Sequence, residues 1–109
     1  MDPLITVQMV VELAIQAALQ AAGKTAPADA ARTRPAQPQV LVAESVIWSD
    51  GAMGCPRPGM LYTDALVPGY RVRLQLGQQV LDYHAGRDGK PWLCPAERVV
   101  APVPDTRAR

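Results

Sequence analysis

At 109 residues the chain has room for one domain with a single core. Hydrophobic residues make up 49%, which excludes a wholly disordered chain, but Phe is absent and aromatics are only 5%, so the core must rest on Val, Leu, Ile and Ala. A formal net charge of +1 supplies no concentrated basic patch, and nucleic acid is not expected as a partner.

The stretch Leu4 to Ala22 is apolar enough to raise the question of a signal or membrane segment. It opens on Asp2-Pro3 rather than a basic region, and Gln8, Glu12, Gln16 and Gln20 interrupt it, so a membrane span would be costly. No membrane partner is expected. With no signal peptide in view, the chain is expected in the cytoplasm if Met1 is the native start. If the chain is the mature form of a longer one, export or a periplasmic location is expected instead. The segment reads as a helix, with Asp2 as N-cap, Pro3 at the first helical position and Gly23 just past the end. At 1.5 Å per residue it would be about 30 Å long. Its polar residues form one narrow stripe at every fourth position. The remaining surface, carrying Leu4, Val7, Val11, Leu13, Ile15 and Leu19, is wider than one sheet face covers. Either the helix is unusually enclosed or its spare apolar side meets a second copy, and a homodimer through this helix is the expectation.

Lys24 to Pro38 has no apolar period and three prolines, the mark of a linker. It is long enough for the helix to pack on its own sheet or on a neighbour's. From Gln39 the period becomes strand-like. Val40 to Trp48 is apolar on both alternations, as in a central strand. Tyr70 to Leu76 alternates, with Tyr70, Val72, Leu74 and Leu76 on one face and Arg71, Arg73 and Gln75 on the other. Gly77-Gln78 marks a tight turn into Gln79 to His84, and Asp88-Gly89 marks the next hairpin loop. Trp92 to Cys94 begins a last short strand that resumes around Arg98 to Ala101, and the tail from Pro102 should fray. The expected fold is α+β, one N-terminal helix packed on a three- to four-stranded antiparallel meander. The boundaries are 1–23 for the helix, 24–38 for the linker, 39–101 for the sheet region and 102–109 for the tail.

Trp48 to Thr63 concentrates three glycines, two prolines and a cysteine between aromatic anchors, which specifies one irregular loop rather than a flexible tether. Cys55 and the only other cysteine, Cys94, both lie beside prolines and loops rather than inside apolar runs. A Cys55–Cys94 disulfide is therefore expected, closing a loop of about 40 residues worth roughly 4 kcal/mol. The competing reading is two buried reduced thiols. Met53, Cys55, Met60, His84 and Cys94 are soft or borderline metal donors, but no pair has ligand spacing, so neither a metal nor a cofactor is expected. A cysteine nucleophile served by His84 is the enzymatic reading, and a disulfide would abolish it. Asp50, Asp64 and Asp82 fall where Asp makes local hydrogen bonds, and no phosphate or nucleophile-elbow motif is present. No catalytic residue is assigned. The expected contact residues are Arg57, Met60 and Tyr62 on the loop, with Arg71, Arg73 and His84 on the neighbouring sheet.

The run W-S-D-G-A-M-G-C-P-R-P-G-M-L-Y-T-D-A-L-V-P-G-Y-R-V-R-L, then D-Y-H and L-C, resembles a family of small uncharacterised bacterial proteins over roughly Val46 to Cys94. The resemblance implies an N-terminal helix and one strand ahead of the motif, and a loop that takes a cross-link. It implies no mechanism. Three functions compete: a non-enzymatic interaction or ligand-binding domain using the loop, a protease-inhibitor-like module, and a Cys/His enzyme as the weakest. The order of helix, strand, exposed loop and R-V-R strand resembles the potato-inhibitor type of serine protease inhibitor. Pro58 directly after Arg57 argues against substrate-like binding there.

Overall fold

The computed structural model describes residues 5–25 and 37–103. One helix, α1 (Val7–Thr25), is followed by four strands, β1 (Gln39–Trp48), β2 (Val67–Leu76), β3 (Gln79–Ala85) and β4 (Trp92–Cys94), in one antiparallel sheet of order β1-β2-β3-β4. This is the expected α+β meander. Among the described residues, no helix is long and apolar enough to cross a membrane.

The helix starts later and ends later than its sequence signals. Thr6 caps it, accepting the Met9 N–H on its side-chain oxygen at 3.2 Å, the bond that satisfies a free donor of the first turn. Asp2 and Pro3 lie outside the described residues. Gly23 is helical rather than terminal, since α1 continues to Thr25. A glycine inside a last turn costs only about 1 kcal/mol against alanine, too little to end a helix that packing supports. Residues 26–36, the body of the expected linker, and residues 104–109 of the expected tail also lie outside the described residues.

The main core lies between α1 and one face of the sheet. Val10, Val11, Ala14 and Ala18 pack on Tyr70, Val72, Leu74, Tyr83 and Ala85. The small alanines bring the helix backbone close to the strands, and the buried Tyr70 hydroxyl donates to the Ile5 carbonyl at 3.3 Å. Gln8, Glu12, Gln16 and Gln20 all face outward, as the polar stripe requires.

β1 is an edge strand, not a central one. Its apolar first half stays exposed, and its register slips between Val40 and Val42, leaving Leu41 as a bulge that blunts the edge. β2 begins three residues earlier than the alternation indicates, at Val67. Pro68 is tolerated because β3 pairing reaches no further than Tyr70 and Ala85. Gly77, at φ 63°, opens the two-residue turn that sets Leu76 opposite Gln79. The expected resumption of strand at Arg98 to Ala101 is replaced by a 3-10 turn at Ala96–Arg98 and an extended segment. That segment is tied back, with the Val100 N–H on the Gly54 carbonyl and the Val103 N–H on the Ile47 carbonyl, each at 2.9 Å.

Candidate functional site

At the Trp48 end of the sheet the second face is covered by the loop, through Met53, Gly54 and Cys55. Pairing register places Trp48, Gly69, Arg71, Arg73, Asp82, His84, Trp92 and Cys94 on this face. Trp48, fully buried, extends across Gly69, and its indole N–H donates to the Ala85 carbonyl at 2.9 Å. A Cβ on Gly69 would stand 2.1 Å from that carbonyl and 2.8 Å from the indole nitrogen, so only glycine leaves room. Gly54 closes over the other side of the same ring, where a Cβ would stand 2.5 Å from it.

The loop is held at many points. Asp50 accepts the Ala52 N–H at 2.9 Å through its side chain, the turn chemistry its position implies. Gly51 donates to the Thr63 carbonyl at 2.8 Å, joining the two ends. Met53 and Gly54 both have positive φ, 53° and 75°, inside the turn closed by the Cys55 N–H on the Ala52 carbonyl. A second turn, Arg57 to Met60, carries Gly59 at φ 79°, and the Tyr62 hydroxyl accepts the Arg57 N–H at 3.0 Å. A disulfide joins Cys55 to Cys94 of β4, with Cα atoms 5.8 Å apart. While the bridge stands, neither sulfur is a thiolate, and both are out of reach of metal or nucleophilic chemistry. Among the described residues, no group of three His, Cys, Asp or Glu side chains is placed to hold a metal ion.

The expected contact residues separate into two sets. Arg57, Met60 and Tyr62 sit on the loop, with Tyr62 half-buried by its bond to Arg57. Arg71, Arg73 and His84 gather instead around Asp82. Arg71 donates from Nε and Nη2 to the two Asp82 oxygens at 3.1 and 2.8 Å. Arg73 Nε lies 3.4 Å from Asp82 Oδ2, within ion-pair range but out of hydrogen-bond alignment. His84, expected among the contact residues of the sheet, is instead fully buried. It stacks on Trp48, its Nδ1 donates to the Met53 carbonyl at 2.8 Å, and its Nε2 lies 2.8 Å from Asp82 Oδ1.

Burial works against ionisation of Asp82, but hydrogen bonds from His84 and Arg71, with the Arg71 charge, outweigh it and hold the carboxyl at about 2. The same hydrogen bond to Asp82 raises Arg71 above its ordinary value. Asp82 is thus the hub of a buried ion cluster rather than a turn residue. The signal was in the hairpin, because a two-residue turn at Gly77-Gln78 sets Arg73 opposite Asp82 and Arg71 opposite His84. The cluster, through His84, and the bridge fasten the loop to the sheet.

No curated protein and no solved structure matches the chain. A family model described as a domain of unknown function (DUF8738) matches residues 15–94, from within α1 through the whole sheet to the bridged Cys94. The chain belongs to that family.

Proposed function

We propose that the chain is a non-enzymatic interaction domain that presents residues 57–62 as a preformed contact loop. One observation carries this reading: Leu61 is 97% exposed and Met60 beside it 56% exposed, on a backbone fastened by turns and a disulfide. A bare apolar pair gains nothing for the fold, and a preformed loop lowers the ordering cost of binding. Arg57 at the same turn supplies a charged rim. The protease-inhibitor alternative fits less well, because Arg57 to Met60 closes into a reverse turn rather than the extended segment a substrate mimic presents. Self-association through α1 belongs to the same reading, since Met9 and Leu13 leave an exposed apolar pair between the outward glutamines.

The test is affinity capture from the native organism with wild type beside a Met60→Ala/Leu61→Ala variant. These exposed positions should change stability by no more than about 0.5 kcal/mol. Partners held by wild type and lost from the variant support the loop, and equal partner sets refute it. Light scattering of wild type and Leu13→Glu tests the helix, and a monomeric wild type removes the dimer.

A further inference from the structure

We infer that the junction between the loop and the β3–β4 hairpin is a binding site for a small flat anion, a carboxylate carried on an aromatic or unsaturated apolar body. A cavity of about 460 Å³ opens there, within the size range of small-molecule sites. Trp92, Met53 and Val67 give it apolar walls, while Arg87, Asp88 and Lys90 line it with charge. Trp92 is 38% exposed, with its inner side against the buried His84 ring at 5.4 Å. It therefore offers a braced aromatic surface.

The charges are not balanced within the cavity. Asp88 is engaged in its own turn, its Oδ1 accepting the Lys90 N–H at 3.0 Å. Among the described residues, the ion pairs all centre on Asp82, and neither Arg87 nor Lys90 takes part in one. Two free cations beside an exposed indole recognise a carboxylate attached to a flat body, with the carboxylate on the cations and the body on the ring.

Met53 is a second, independent sign. It is the one non-glycine residue at positive φ among the described residues, a conformation that favours Gly or Asn. The side chain retained there lines the cavity and reaches over Gly86, where a Cβ would stand 2.8 Å from its sulfur. A backbone outlier that keeps a large soft side chain in a pocket wall fits a site that must hold something.

The experiment titrates isotope-labelled protein with 2-naphthoate and, in parallel, with its neutral amide, and follows amide and indole resonances. Saturable shifts should be confined to Met53, Val67 and residues 85–92, with the acid bound about tenfold or more tightly than the amide. Arg87→Gln/Lys90→Gln, at exposed positions, should bring the acid to the amide's affinity with the spectrum otherwise unchanged, and Trp92→Ala should lose both ligands. Absence of saturable shifts at about 10 mM acid, equal affinity for acid and amide, or an unaffected double variant would each overturn the proposal.

Discussion

Trp48 and His84 stack with ring centroids 4.5 Å apart and planes 26° apart, although β2 lies between their strands. They meet because Gly69 leaves the intervening strand bare. The pair forms the centre of a second packed layer, on which Gly54, the disulfide and the Met53 carbonyl all converge.

Gly69→Ala should be among the most damaging single-methyl additions in the chain. The new Cβ has backbone carbonyl on one side and the indole on the other, so neither neighbour can yield cheaply. A loss of about 3 kcal/mol is expected, measured by urea unfolding, with a shift in the Trp48 fluorescence. Gly59→Ala, which meets nothing within 4 Å, should cost only the left-handed backbone penalty of about 1 kcal/mol.

His84→Phe retains a ring against Trp48 but removes both polar contacts. The Met53 carbonyl and one Asp82 oxygen lose their imidazole partner beneath the loop. Stability should fall by about 2–4 kcal/mol, and amides 51–55 should exchange faster with solvent than those of β2. Uniform acceleration across the whole sheet would mean that His84 supports the core rather than the loop.

Breaking the bridge acts mainly on the unfolded chain. With the cysteines 39 positions apart, Cys55→Ala/Cys94→Ala should lose roughly 4 kcal/mol. The urea midpoint of wild type with and without reductant checks this, and coincident curves would show the bridge to be energetically idle.

Asp82 sets an acid limit. Its folded value of about 2 lies below the ordinary 3.8, so its contribution is fully present above 3.8 and disappears as pH falls through that interval. The gap corresponds to roughly 2 kcal/mol. Asp82→Asn should be less stable than wild type at neutral pH and should lose less on acidification from about pH 4 to 2. Parallel acid profiles for the two proteins would place the sensitivity in another carboxylate.

The alternation of Tyr70 to Leu76 and the turn at Gly77-Gln78 made β2 and β3 readable, because a half-buried sheet imposes a period of two. The same turn already contained the Arg71, Arg73, Asp82 and His84 cluster, once register is followed across it. β1 misled because apolar residues on both alternations describe a bulged edge strand as well as a buried centre. The cover over Trp48 was not readable at all. It depends on Gly54, Gly69 and Val100 meeting in space, and no local pattern encodes that meeting.

The backbone bonds from Val100 to Gly54 and from Val103 to Ile47 also impose a schedule on synthesis. A chain made from its N-terminus can form α1 and the first hairpin while residues 49–66 still lack their last fastenings. Cys94 emerges only near the end of the described chain, and Val100 and Val103 later still. Trp48 and its loop therefore remain uncovered until residues 94–103 have been made. During that interval the bare apolar surface and the free Cys55 thiol are open to wrong partners, which makes the final ten described residues the step that protects the nascent protein.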